Sequence, residues 1–131
     1  MAGSGIPRMP GSFAAAADYA TTDNRHKAVY LSDDFEITVA SAATDPVIGI
    51  LENKPDEGEA AEVTMFGETE GKAADAITAG NFLVADSAGD LVPITVTDEG
   101  TVNYYVGRAL QDAVDNDIFK LLVCPGYICV A

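Results

Sequence analysis

Apolar and polar residues alternate along most of this chain in short stretches. Phe35, Ile37 and Val39 alternate with Glu36 and Thr38, the period of two that places successive side chains on opposite faces of a half-buried strand. Val92, Ile94 and Val96 repeat the pattern between Pro93, Thr95 and Thr97; the proline has no N–H to offer a neighbour and sends its strand to a sheet edge or a bulge. Further strands are predicted over 28–31, 47–51, 62–66, 82–85, 104–110 and 118–123. Asp33-Asp34, Asp45-Pro46, Pro55-Asp56-Glu57-Gly58, Ser87-Ala88-Gly89-Asp90 and Asp98-Glu99-Gly100 supply turn chemistry between them. The clearest hairpin joins 82–86 to 90–96 through Ser87-Ala88-Gly89. Nothing carries a helical period beyond one allowed turn near 109–114. The pattern predicts an all-β fold, a small β-barrel or sandwich over residues 26–131.

Residues 1–25 differ in kind. Gly3, Gly5, Pro7, Pro10 and Gly11 precede Phe13, four alanines and the polar run Asp18-Tyr19-Ala20-Thr21-Thr22-Asp23-Asn24. So few large apolar side chains build no core of their own, and the segment reads as an extended N-terminal arm whose Phe13 and Tyr19 dock on a partner, an inert terminus being the alternative. The alanines allow a helical turn too short to hold by itself. On this reading, removing the arm leaves the melting temperature of the domain nearly unchanged.

A weak internal echo runs through the remainder. Ile48-Gly49-Ile50-Leu51, an acidic turn, Val63–Phe66 and Gly67 match Val106-Gly107-Arg108-Ala109-Leu110, an acidic turn, Phe119–Val123 and Gly126. The echo suggests two related strand pairs in one barrel, with chance likeness between hairpins as the alternative.

Charge narrows the function. The 131 residues hold 21 Asp and Glu against 7 Lys and Arg, a net −14 that repels phosphate backbones and excludes direct nucleic-acid binding. At 48% hydrophobic residues the chain is too apolar for a disordered acidic tail. No apolar run approaches a membrane span, and the first ten residues lack the apolar core of a secretory signal, so a soluble, unexported protein is expected.

Candidate chemistry fails residue by residue. Gly67-Glu-Thr-Glu-Gly71-Lys72-Ala73 imitates a phosphate-binding loop, but it is one residue short between its glycines and has Ala73 where a hydroxyl must meet magnesium. A glycine turn is the plainer reading. His26 is the only histidine, with no Gly-x-Ser-x-Gly elbow beside it. Cys124 and Cys129 are too few for a zinc site and spaced unlike a redox pair, so inert thiols are favoured over a local disulfide. Asp112, Asp115 and Asp117, like Asp56, Glu57 and Glu59, read as solvated acidic turns, the first group lacking the glycine and terminal glutamate of a calcium loop. No catalytic residue, metal or cofactor is assigned.

Val47-Ile48-Gly49-Ile50-Leu51-Glu52-Asn53-Lys54-Pro55, Gly58-Glu59-Ala60-Ala61-Glu62-Val63, Ala79-Gly80-Asn81-Phe82-Leu83, Ala88-Gly89-Asp90-Leu91-Val92 and Val106-Gly107-Arg108-Ala109-Leu110 form a rhythm of short phrases. This rhythm resembles a family of small tailed-phage head proteins, the capsid decoration or cement proteins. Asn81 stands where that family usually has Asp. The resemblance implies a β-tulip-like or barrel domain that forms a homotrimer on the outer surface of an icosahedral head and stabilises the lattice of the major capsid protein, without enzymatic activity.

Phe13, Tyr19, Phe66, Phe82, Tyr104, Tyr105 and Tyr127 are the interface candidates, since aromatic side chains that one small barrel cannot all bury would anchor a contact. Ordinary core packing is the alternative for each. A small carbohydrate-binding or carrier module competes with this reading, although neither Lys54 nor Lys72 sits in a carrier-like phrase, and an acidic-site hydrolase competes more weakly.

Overall fold

The computed structural model describes residues 9–95 and 100–129. Its ordered elements are the strands β1 (Met9–Ala15), β2 (Ala28–Asp33), β3 (Glu36–Val39), β4 (Val47–Leu51), β5 (Ala60–Lys72), β6 (Phe82–Ala85), β7 (Leu91–Pro93), β8 (Val102–Ala109) and β9 (Ile118–Cys129). No helix occurs among the described residues. The strands pair in the order β1-β3-β2-β4-β5-β9-β8-β6-β7, and β1 also pairs with β5. That last pairing closes β1, β3, β2, β4 and β5 into a five-stranded barrel, so the fold is the all-β barrel the alternation predicts.

β5 is long enough to serve twice. Its first half pairs with β1 and β4 in the barrel, while Gly67–Lys72 pair with Val123–Ile118 of β9. Just past its end, Ala73 bridges Leu91 of β7 in parallel, so β5, β9, β8, β6 and β7 trace a second ring. The two rings repeat one topology. In each, an opening strand runs antiparallel to the last strand and parallel to the second arm of a hairpin: β1 does so against β5 and β3, and the end of β5 does so against β9 and β7. The hairpins β2–β3 and β6–β7 correspond, as do the pairs β4–β5 and β8–β9.

Backbone conformation repeats with the topology. His26 and Gly80 have positive φ, and nine residues later so do Phe35 and Gly89; Gly58 and Asn116 do the same in the loops before β5 and β9. Gly49 and Gly107 also correspond: a Cβ on either would collide with a neighbouring carbonyl, of Thr64 and Leu122 respectively. The echo around these two glycines therefore marks equivalent strand pairs in two rings joined through β5.

Two cores follow from this arrangement. Ala15, Tyr19, Val29, Ile37, Leu51, Ala61 and Val63 fill the first barrel, while Ala28, Val47 and Ile50 turn outward to join Leu83, Leu91, Val106, Phe119, Leu121 and Val123. β4 and the start of β2 are thus covered on both faces, which explains why 47–51 reads as an unbroken apolar run rather than an alternation.

Several elements differ from expectation. β5 runs straight through Gly67, at φ 110°, where a turn is predicted, because its continuing N–H and C=O groups find β9. β9 likewise extends through Pro125 to Cys129 against β8. Ala14 and Ala15 lie in β1 and not in a helical turn, and 109–114 holds bends pinned by an Ile77–Ala113 bridge. β7 ends at Pro93 at the end of the strand order, as the proline requires, while Val96 falls outside the described residues.

Of the segment expected as an arm, 1–8 lie outside the described residues, and Gly11–Ala14 of β1 pair with Val63–Ala60 of β5. Tyr19 is 8% exposed, and its hydroxyl accepts the Val39 N–H at 3.0 Å. The polar run folds on its own carboxylates. Asp18 accepts from Ala20, Thr21 and the Thr21 hydroxyl, and these bonds, the hydroxyl's first, lower its pKa. The Arg25 guanidinium forks onto Asp23 and depresses that carboxyl strongly.

Asp90 behaves oppositely. It follows Gly89 at the seam between rings, where Ala28 donates to the Gly89 carbonyl, and its Oδ1 is buried with no hydrogen-bond partner. Burial raises its pKa, against the pull of Lys27 and Lys72. A raised carboxyl binds its proton more tightly folded than unfolded, so its contribution to stability declines as pH rises from the ordinary carboxylate range through the folded value. Asp90→Asn is accordingly expected to raise Tm by roughly 3 °C at pH 7 and to change nothing near pH 3. Thermal melts of both proteins across that range provide the check.

Candidate functional site

The sequence-predicted aromatics separate into distinct places. Tyr19 is a core residue of the first barrel and presents nothing outward. Phe82 lies half-buried against Tyr105, ring centroids 4.7 Å apart, with the Arg108 guanidinium 4.8 Å above its ring. That guanidinium also donates to the Gly80 carbonyl, so the stack clamps the start of β6 to β8.

Tyr104 and Tyr127 face each other across the far end of β8 and β9, with centroids 6.2 Å apart. Here the strands continue past Val123 as a two-stranded ribbon, 102–105 against 126–129, and β9 has no strand on its β5 side among the described residues. Tyr105 folds over Gly126, whose missing side chain leaves the room its hydroxyl occupies. Tyr127 is 66% exposed. Phe66, also exposed, sits one residue before the last β5–β9 pair, Gly67 with Val123, and so beside the root of the ribbon.

Phe13 belongs to a separate surface. Its ring lies against Phe35, centroids 6.1 Å apart and 25° from parallel. Together with Leu31, Asp33 and Asp34 they line an open groove of about 240 Å³. The alternation assigns Phe35 to the buried face with Ile37 and Val39. Instead Phe35 is 75% exposed with φ 49°, while Ile37 is fully buried, because the Asp33-Asp34 turn ends one residue late and carries Phe35 at its tip. Leu31, 48% exposed, was likewise missed. Reading alternation through a turn hid both residues; the glycine at the matching position of the other hairpin was the available signal.

The residues tested for chemistry take structural roles. The phosphate-loop imitation is extended strand paired with β9, with the Lys72 N–H donated to the His26 carbonyl and the Ala73 N–H to that of Asp117, so it forms no loop that could cradle an anion. His26 Nδ1 lies 3.3 Å from the Glu70 carbonyl, and its backbone links Leu51 to Lys72 across the seam. Among the acidic turns, Asp112 accepts from Ala79, Asp117 from Val114 and Glu59 from Asp56, each completing backbone bonds. Among the described residues no group of three His, Cys, Asp or Glu side chains is placed to hold a metal. Cys124 and Cys129 are not joined in a disulfide, and burial pushes the Cys124 thiol up, against the pull of Arg108.

Comparison with known proteins then identifies the class. No curated protein matches the chain. Among solved structures, the crystal structure of the head fiber gp8.5 N base of bacteriophage phi29 superposes with a TM-score of 0.60 over 90% of this chain and 95% of that one, at 21% identity, a likeness of fold. The model of a family described as phage cement protein matches residues 18–124, which takes in β2 to β8 and β9 as far as Cys124. The chain belongs to the phage cement protein family and is a structural protein of the phage head.

Proposed function

We propose that the protein is a decoration protein, binding as a homotrimer to the outer surface of an assembled head and stabilising the lattice of the major capsid protein. The match to the cement family over residues 18–124 carries this reading. The electrostatics agree with it, since a net charge of −14 suits the outside of a shell whose nucleic acid the protein never touches.

The far ribbon is the trimer surface we favour. Among the described residues β9 has no neighbouring strand on its β5 side beyond Val123, Tyr127 and Tyr104 lie in tilted contact there, and Phe66 sits at the root. Exposed edges invite pairing by another chain, and aromatic anchors supply most of the energy of such contacts.

Sedimentation equilibrium of the purified protein, together with co-sedimentation on undecorated heads of the encoding phage and on their dissociated subunits, tests the proposal. A trimer that pellets with heads and not with free subunits is expected, and Tyr127→Ser with Phe66→Ser should reduce it toward monomer. A monomer indifferent to heads would remove the reading.

A further inference from the structure

The β2–β3 turn pays twice for Phe35. A bulky side chain is disfavoured at positive φ, where glycine is the ordinary solution, and the equivalent hairpin β6–β7 has Gly89 at the matching position, φ 84° against 49°. The side chain then gains no burial, being 75% exposed, while Val29, Ile37 and Val63 complete the first core without it. A strained and exposed aromatic is selected for something other than folding.

Its surroundings say what that is. Phe13 backs the ring, Leu31 extends the apolar surface, and Asp33 and Asp34 line the same groove. Among the described residues neither carboxylate is held by a cation. An apolar groove edged by uncompensated carboxylates complements an aliphatic or aromatic side chain flanked by Lys or Arg. A second copy would bring its own acidic excess to the contact, so charge selects a different protein.

We infer that the β2–β3 tip is the face that meets the shell, receiving an apolar side chain flanked by basic residues of the capsid subunit. This rests on the decoration reading and adds to it the docking face, distinct from the ribbon proposed for the trimer.

The test uses the full chain with Phe35→Gly, Phe35→Asn and the double variant Asp33→Asn, Asp34→Asn. Affinity for undecorated heads is measured at low and high salt, beside thermal melts and sedimentation equilibrium. Both Phe35 variants tolerate the left-handed backbone, so they should melt at or above the wild-type temperature and remain trimeric while binding heads on the order of 30-fold more weakly. The double Asn variant should bind more weakly at low salt and lose most of the salt dependence.

Wild-type binding with unaltered binding by the Phe35 variants would overturn the docking face and leave the decoration reading standing. A lowered Tm in both would make Phe35 structural, and a loss of trimer would make the tip a self-contact; either overturns the inference. Wild-type protein that ignores heads would overturn both.

Discussion

Gly107→Val is expected to yield no soluble folded protein, and Gly107→Ala to lower stability by roughly 4 kcal/mol or more, beyond the range of ordinary substitutions. The cause is backbone against backbone. A Cβ at Gly107 would stand 2.9 Å from the carbonyl carbon of Leu122 and closer still to its oxygen, and the same holds at Gly49 against Thr64. These contacts lie where β8 bulges against β9 and where β4 passes β5, so relief requires moving paired strands. Gly58→Ala isolates the other glycine function. It has φ 80° and nothing within 4 Å of a new Cβ, so its expected cost is conformational only, about 1 kcal/mol. Denaturant unfolding of the two alanine variants measures the difference; a Gly107→Ala protein as stable as Gly58→Ala would refute the close approach.

Removing residues 1–25 is the second large effect. Composition predicts little change, but β1 is the strand that closes the first barrel between β3 and β5. Without it the first half of β5 becomes an open edge on the β1 side, and the apolar side chains of Ile37, Ala61 and Val63 lose Ala15 and Tyr19 as cover. The truncated chain is expected to aggregate or to melt at least about 15 °C lower, as loss of several kcal/mol from a domain of this size requires. Tyr19→Ala should reproduce part of the loss, about 3 kcal/mol for a buried aromatic that also accepts the Val39 N–H. Calorimetry of both proteins decides it, and a truncated protein that melts with the wild type would return 1–25 to the status of an arm.

The reasons behind these expectations separate what was legible in the sequence from what was not. β4 and β6 were readable to the residue because β-branched and aliphatic runs ended at Gly, Pro or Asp turns. β1 was hidden because Gly, Ser and Ala give no alternation, although such small residues suit a strand pressed between β3 and β5. Gly67 looked like a stop and is a crossing from one ring to the other, a role set by a partner strand some fifty residues away in sequence. The glycines at 49 and 107 exposed the duplication, but its other matched positions are His26 with Gly80, Phe35 with Gly89 and Gly58 with Asn116, unlike residues that only shared backbone angles relate. Phe66 and Tyr127 were found as surface aromatics, whereas Tyr19 could not be told from them, since burial depends on β1.

The central claim, that the protein cements an assembled head, is tested most directly by heating. Undecorated heads of the encoding phage are warmed with and without saturating protein, and disruption is followed by light scattering and negative-stain microscopy. A ligand that binds only the assembled lattice stabilises each occupied site by about 2.7 kcal/mol at a hundredfold excess over Kd, and the contributions act together across the shell. The account predicts a higher disruption temperature that rises with protein concentration and saturates at full occupancy. Heads that bind the protein and come apart at the same temperature as bare ones would contradict it.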